Sequence, residues 1–325
     1  MQRASDQRPA VLPDAVHLQG RVNLPDRAWA VALTALGATV LLVAAVIVAE
    51  LLRIGGPTLA QTGLVAFVKN SVWDVTRDLF GALPFIYGTL VTSGVALLLA
   101  LPVSVGLALF LTEMAPPRVR SIVSFPISLL AGIPSVVYGL WGLFVLVPLL
   151  RRPVEPFLAK THLPIFQGAP IGLGYLAAGI VLAIMILPTI TSIAIEVLRT
   201  VPGSLREAAL ALGATRWEAI RTAVIPYART GIIGATMLGL GRALGETMAV
   251  TMVIGNSPTI RASLFAAGYT LPAVIANEFA EASGDLHTGA LAALGLLLFA
   301  VTVLLNVAAR VLVRMVRRGP VRVAA

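Results

Sequence analysis

Val201-Pro-Gly-Ser-Leu-Arg-Glu-Ala-Ala-Leu-Ala-Leu-Gly-Ala-Thr-Arg-Trp-Glu-Ala-Ile-Arg-Thr-Ala-Val-Ile-Pro226 is the polar interruption between two long apolar runs. Ser204 and Glu207 stand three apart, the spacing of a capping box that opens a helix after Pro202-Gly203. Leu205 to Leu212 are good helix formers, and Gly213 suits the left-handed position that ends a helix. Thr215 and Glu218 repeat the capping spacing, and Pro226 is expected to stop the second helix. The stretch therefore predicts two short helices joined by a sharp turn. Ala208 and Ala209 leave the first helix a small-residue side that another protein could approach closely. An ordinary loop helix lying on a bilayer surface remains the alternative at this point.

The flanks explain why such a loop exists. The chain is 58% hydrophobic and 12% charged, with mean hydropathy +0.93. An ordinary soluble domain is about 45–50% apolar and about 25% charged. So little charge cannot coat a globule, and the outer surface must face lipid. Runs of the roughly 20 apolar residues that cross a bilayer occur at 28–52, 86–112, 122–150, 172–195, 230–254 and 288–313. The third is too long for one straight crossing, contains Pro126, Pro134 and Pro148, and is expected to begin along the interface or to kink near Gly132-Ile133-Pro134. The fold class is thus all-α, a polytopic membrane protein with six transmembrane helices.

Arginine and lysine set the direction. With the amino terminus in the cytoplasm, sixteen basic residues fall on inner segments and seven on outer ones, Arg242 lying within a span. Both termini and the loop 201–226 are then cytoplasmic. The organisation expected is a cytoplasmic disordered tail at 1–27, an additional first helix at 28–52 and a periplasmic loop at 53–85. A transmembrane domain at 86–313 and a basic tail at 314–325 follow. The polar, proline-bearing first 27 residues read as a tail, not a cleaved signal.

The net charge of +9 does not imply nucleic acid, because the arginines sit between apolar runs and not on one recognition surface. The absence of cysteine excludes disulfides, thiolate metal sites and cysteine nucleophiles. His17, His162 and His287 fall in separated segments, so neither a metal site nor a catalytic triad is expected. Gly239-Leu-Gly241-Arg-Ala-Leu-Gly245 imitates a nucleotide loop, but its spacing is wrong and it lies in a span. Gly241 and Gly245 read instead as a small-residue packing face. In-span Thr92, Ser104 and Asn306 read as interhelical hydrogen bonders.

Arg242 stands near the middle of 230–254, with Glu246 one turn later. An arginine at the centre of a span is unfavourable by at least ~2.5–3.5 kcal/mol. The i,i+4 spacing allows a structural ion pair; a cation on an anion path is the other reading, and the residues alone leave both open.

Glu207-Ala208-Ala209, then Gly213, then Ile225-Pro226 resembles the EAA loop of type I ABC importer permeases. Ala223 and Ile225 depart mildly from that pattern. Gly239 to Asn256, Ala131-Gly-Ile-Pro-Ser-Val-Val-Tyr-Gly-Leu-Trp-Gly142, Ile184-Met-Ile-Leu-Pro-Thr-Ile-Thr191, Gly268-Tyr-Thr270 and Ile275 to Ala282 resemble phosphate-importer permeases of the PstC type. The resemblance runs from about Phe80 to the carboxyl end. It implies a type I ABC importer permease fold in the bacterial inner membrane. The coupling element would include Glu207, Ala208, Ala209 and Gly213, with Ser204 and Thr215 as its caps. Arg242 and Glu246 would belong to the substrate pathway. Implied partners are a second permease subunit of the PstA type, two ATPase subunits of the PstB type and a phosphate-binding protein of the PstS type. No cofactor or metal would bind this chain, ATP and Mg being used by the ATPase. Importers of another oxyanion or of phosphonate, and an ion-coupled secondary transporter, remain the competing readings.

Overall fold

The computed structural model describes residues 24–318. The tail at 1–23 and the last seven residues of the basic tail lie outside the described residues. Helices α1 (Leu24–Thr62), α2 (Leu64–Lys69) and α3 (Leu83–Leu109) come first; a small hairpin of two-residue strands, β1 (Trp73–Asp74) with β2 (Leu79–Phe80), joins α2 to α3. Next come α4 (Pro117–Gly132), α5 (Ser135–Trp141), the short α6 (Val147–Leu149) and α7 (Glu155–Ala159), and the central α8 (Tyr175–Arg199). The carboxyl half holds α9 (Gly203–Ala211), α10 (Arg216–Ala219), α11 (Ile225–Leu244), α12 (Met248–Ile254), α13 (Leu271–Glu278) and α14 (Asp285–Arg318). Among the described residues, six continuous helical segments are long and apolar enough to cross a membrane: 27–62, 83–114, 135–159, 175–199, 216–244 and 285–311.

The chain divides into two compact units at residue 49. The first is the amino-terminal part of α1. It carries exposed Trp29, Leu33, Leu36 and Val40, an apolar surface all round that only lipid or another protein satisfies.

The second unit, from Glu50 onward, is built around α8. Val181, Leu182, Ile186, Ile190 and Ala194 are fully buried there, and α3, α5, α11 and α12 all pack against this helix. Close approach is made possible by Gly231 and Gly239 of α11: a Cβ at either would collide with Val197 or Ile190 of α8. Gly241 and Gly245 do not serve this purpose, since nothing from another helix lies within 4 Å of a Cβ at either. The small-residue face expected from the sequence is therefore displaced to 231 and 239. Ser104 Oγ donates across the interface to Leu187 O at 3.2 Å, as expected of an interhelical bond. Thr92 and Asn306 instead bond Gly88 O and Thr302 O of their own helices.

The third apolar run breaks where its prolines predict. Ile133 leaves the helix with φ −72° and ψ 130°, and α5 begins immediately after Pro134. Helix then persists through Arg151 and Arg152 to Ala159, so the outer loop expected after residue 150 starts only after 159. Pro226 likewise does not end a helix. The wide turn Ile220–Val224 places Ile225 N–H on Ile220 O, five residues back, and this turn takes up the missing donor of proline so that α10 runs on into α11.

The 53–85 segment is also more ordered than expected, because α1 extends to Thr62 and α2 and the hairpin follow. Trp73 stacks edge-on with Phe80 and Phe85, each at 5.0 Å, and its Nε1 donates to Glu278 at 2.9 Å. Glu278 also meets His287 Nε2 at 3.2 Å. Burial pushes the nearby Tyr269 phenol up to about 12. Glu278 thus ties the hairpin, α13 and α14 together.

Candidate functional site

Two places in the second unit carry the residues singled out by sequence. The first is the knuckle between α8 and α11. Helix α9 closes on Gly213 at φ +86°, a conformation that strains any residue with a Cβ. Gly213 N–H donates to Leu210 O at 3.0 Å and Ala214 N–H to Ala209 O at 3.2 Å. This pair of reversed bonds is a Schellman closure, which satisfies the last carbonyls of the helix.

Thr215 then caps α10: its hydroxyl accepts from Glu218 N at 3.3 Å, and Glu218 accepts from Thr215 N at 2.7 Å. Ser204 does not play the matching part at the start of α9. The helix begins two residues early, with extended Pro202 at the cap and Gly203 as its first residue, so Ser204 is inside the first turn and makes no capping bond. Proline achieves the same start by fixing φ near −57°. Thr215→Ala should loosen this turn by about 1 kcal/mol. Tryptic cleavage at Arg216 should accelerate about fivefold, and an unchanged rate would show the cap to be dispensable.

What the knuckle presents is exposed. Glu207 and Ala208 face outward, Ala209 is half-buried, and Leu212 and Trp217 are 90% and 59% exposed. Two large apolar side chains beside a small-residue helix face suit a protein partner better than water.

The knuckle is fastened by a contact that no local pattern revealed. Arg206 Nη2 and Nε grip Glu113 Oε1 and Oε2 at 2.7 and 2.9 Å, while Nη1 reaches Val201 O at 2.7 Å and Nη2 reaches Leu198 O at 3.2 Å. The Glu113 side chain is only 9% exposed. Hydrogen bonding to its carboxylate raises the Arg206 guanidinium further above its ordinary value. Because 93 residues separate the partners, the only sequence sign was an acidic residue at the very end of an apolar run. Arg206 thus ties α9 to the ends of both α3 and α8.

The second place is the break between α11 and α12. The i,i+4 pairing that the spacing of Arg242 and Glu246 allows does not form, because Gly245 ends α11 before the next turn is completed. Arg242 lies in the last turn of α11 and not at mid-span; it is exposed and donates from Nη1 to Thr189 Oγ1 of α8 at 3.2 Å. Glu246 accepts from Ala249 N, in the first turn of α12, at 3.3 Å. The cation therefore sits at a helix C-terminus and the anion at a helix N-terminus, where each macrodipole favours its charge. Removing either leaves the other still stabilised.

The separated motifs converge on this break. A Cβ at Gly139 of α5 would press on Ala249 and Met252 of α12, and one at Gly142 on Val181 and Val253. Arg242 touches Thr189, and Gly268 lies directly against the Tyr175 ring. Segments 131–142, 184–191 and 268–270 thus each touch 239–256, the last through Gly268 N–H on Ile254 O at 3.0 Å. Among the described residues no group of three or more metal-ligating side chains occurs.

Six apolar crossings, an interrupted helix bearing an unpaired charge couple, and a capped knuckle define a multi-pass membrane transport component. Residues 100–318 match the family described as binding-protein-dependent transport system inner membrane component. The phosphate transport system permease protein PstC of Mesorhizobium japonicum is 51% identical over 251 residues, covering 75% of this chain and 77% of that protein. Its counterpart in Xylella fastidiosa strain Temecula1 is 49% identical over 265 residues, covering 79% and 81%. In three dimensions the chain resembles a chain of the bacterial alginate ABC transporter solved with an alginate-bound periplasmic protein. That match has a TM-score of 0.58 at 18% identity, covers 90% of this chain and 96% of the other, and speaks to fold alone. The chain belongs to the binding-protein-dependent transport permeases and, within them, to the PstC family.

Proposed function

We propose that this chain is a pore-forming subunit of an ATP-driven importer that carries inorganic phosphate inward across the bacterial cytoplasmic membrane. The observation that carries the reading is the knuckle, closed at Gly213, capped at Thr215 and bolted to α3 and α8 by Arg206. A docking element is useful to a transporter only if its motion reaches the spans, and the Glu113 contact supplies that path. Phosphate as cargo is supported by relatives at 49–51% identity that bear that name and by a cation at the break where an anion would cross.

In this reading the basic excess puts both termini and the knuckle in the cytoplasm. A second permease of the PstA type completes the pore. Two ATPase subunits of the PstB type, using ATP and Mg, seat on the knuckles, and a PstS-type protein delivers phosphate from outside. This chain itself catalyses nothing. Reconstituted with those partners in proteoliposomes, it should accumulate phosphate only with ATP. Uptake that follows an ion gradient without ATP, or that accepts only another oxyanion, would contradict the reading.

The Arg206 bolt has its own test. Losing a partly buried, charge-assisted fork should weaken the attachment by about 1–3 kcal/mol. Glu113→Ala is therefore expected to lower phosphate transported per ATP hydrolysed about fivefold or more, while the ATPase still co-purifies because the docking face is intact. An unchanged ratio would make the pair merely structural.

A further inference from the structure

At the end of α8 remote from the knuckle, the loop 255–270 folds back over the segment 163–172 and leaves a cavity of about 280 Å³. Its polar lining is Gln167, Ser257, Thr259, Arg261 and Ser263, and no carboxylate contributes to it. The rest of the lining is small or apolar, so one cation and three hydroxyls face the same volume.

The loop is held in place by contacts from several elements. Tyr87 of α3 donates its hydroxyl to Arg261 O at 3.1 Å, and Tyr175 of α8 donates to Thr259 O at 3.3 Å. The two rings meet edge to face at 5.7 Å. Backbone bonds Leu264 N to Ile165 O, Leu176 N to Leu264 O and Ser257 N to Gly268 O fix the remaining loop. Ser257 and Thr259 hydroxyls bond each other at 3.1 Å. The tyrosines thus spend their polar ends holding Thr259 and Arg261 by the backbone, which leaves the guanidinium without an ion pair among the described residues.

Arg261 shares the 255–287 segment with the carboxylates Glu278, Glu281 and Asp285. The structure separates them, for Glu278 is turned toward Trp73 and His287 and none of the three lines the cavity. The balance in the loop is acidic, yet the cavity within it is cationic.

We propose that this cavity is an outer subsite for a tetrahedral oxyanion, receiving phosphate before it reaches the break at Arg242; the assignment of phosphate rests on the function proposed above. A guanidinium fork binds two oxyanion oxygens in parallel, and hydroxyl donors can take the others. A single-sign cleft with apolar walls raises the local concentration of its counter-ion. Helix α12, seven residues or about 10 Å long, leads from Glu246 to the loop, so the two cations stand as successive stations for one anion.

The test uses the complete transporter in lipid nanodiscs, with inorganic phosphate as probe. Arg261 is modified by phenylglyoxal and followed by peptide mass spectrometry, with Arg77 as the internal reference, at ionic strength held constant with chloride. Phosphate at ten times its dissociation constant should slow Arg261 modification roughly tenfold and leave Arg77 unaffected. In the Ser257→Ala, Thr259→Val double variant the protection should fall at least threefold, with the unprotected rate unchanged. A rate indifferent to phosphate, or protection undiminished in the double variant, would overturn the subsite. ATP-driven phosphate uptake by the same preparation distinguishes the two failures. Uptake without protection removes the subsite alone, whereas absent uptake removes the function on which it rests.

Discussion

Gly213→Val is expected to detach the ATPase subunit while all six spans remain inserted. The left-handed φ of +86° is unfavourable for a β-branched residue by roughly 1–3 kcal/mol. No side-chain clash adds to this, because a Cβ at Gly213 meets nothing within 4 Å. The strain is therefore purely conformational, and it is relieved by unwinding the Schellman closure that sets α9 against α10. Affinity for a partner that needs the closed knuckle should drop about tenfold or more. Gly213→Asn separates this cause from bulk alone, since asparagine tolerates the left-handed region and should retain most of the ATPase. Equal co-purification of both variants with wild type would remove the knuckle from the docking account. Glu207→Lys should act at the same surface without altering the turn.

Arg242→Gln is expected to abolish phosphate uptake while the complex assembles and hydrolyses ATP. The substitution takes a charge out of the membrane-spanning layer, which favours insertion. What it removes is the attraction for an anion. At 4 Å and an effective dielectric constant of 20 that attraction is about 4 kcal/mol, so flux should fall on the order of a hundredfold or more. Because Glu246 bonds Ala249 N and not Arg242, no buried anion is stranded by the change, and a folding defect is not the expected cause of failure. Undiminished uptake would return Arg242 to a structural role at the C-terminus of α11.

The parts legible in sequence were those with a short-range cause. Six crossings follow from unbroken apolar runs, the kink at Ile133-Pro134 from proline, and the turn at Gly213 with the cap at Thr215 from spacing of three or four residues. The misreadings share a tertiary origin. Pro226 was expected to stop a helix, yet a wide turn one step earlier absorbs its missing donor. Helical periodicity allowed Arg242 and Glu246 to pair, but Gly245 ends the helix between them. Which glycines of α11 pack closely depended on where Val197 and Ile190 of α8 fall, and that no local pattern states. The Glu113–Arg206 grip and the Trp73–Glu278–His287 tie join residues far apart in the chain. The loop cavity at Arg261 was hidden for the same reason, since its lining comes from two separate segments, 167–171 and 257–267.

The protein contains no cysteine, so a single thiol at Ala208 gives an unambiguous probe of the exposed face of α9. With the Ala208→Cys chain assembled with its ATPase, a short bifunctional reagent should cross-link position 208 to the ATPase subunit, at a yield that changes with ATP. A control thiol on the opposite end, at Thr259, should give none. Cross-linking at 208 would establish the knuckle as the seat of the motor. Modification of that thiol by a membrane-impermeant reagent from the outer face, or its failure to reach the ATPase in a complex that transports, would contradict the account.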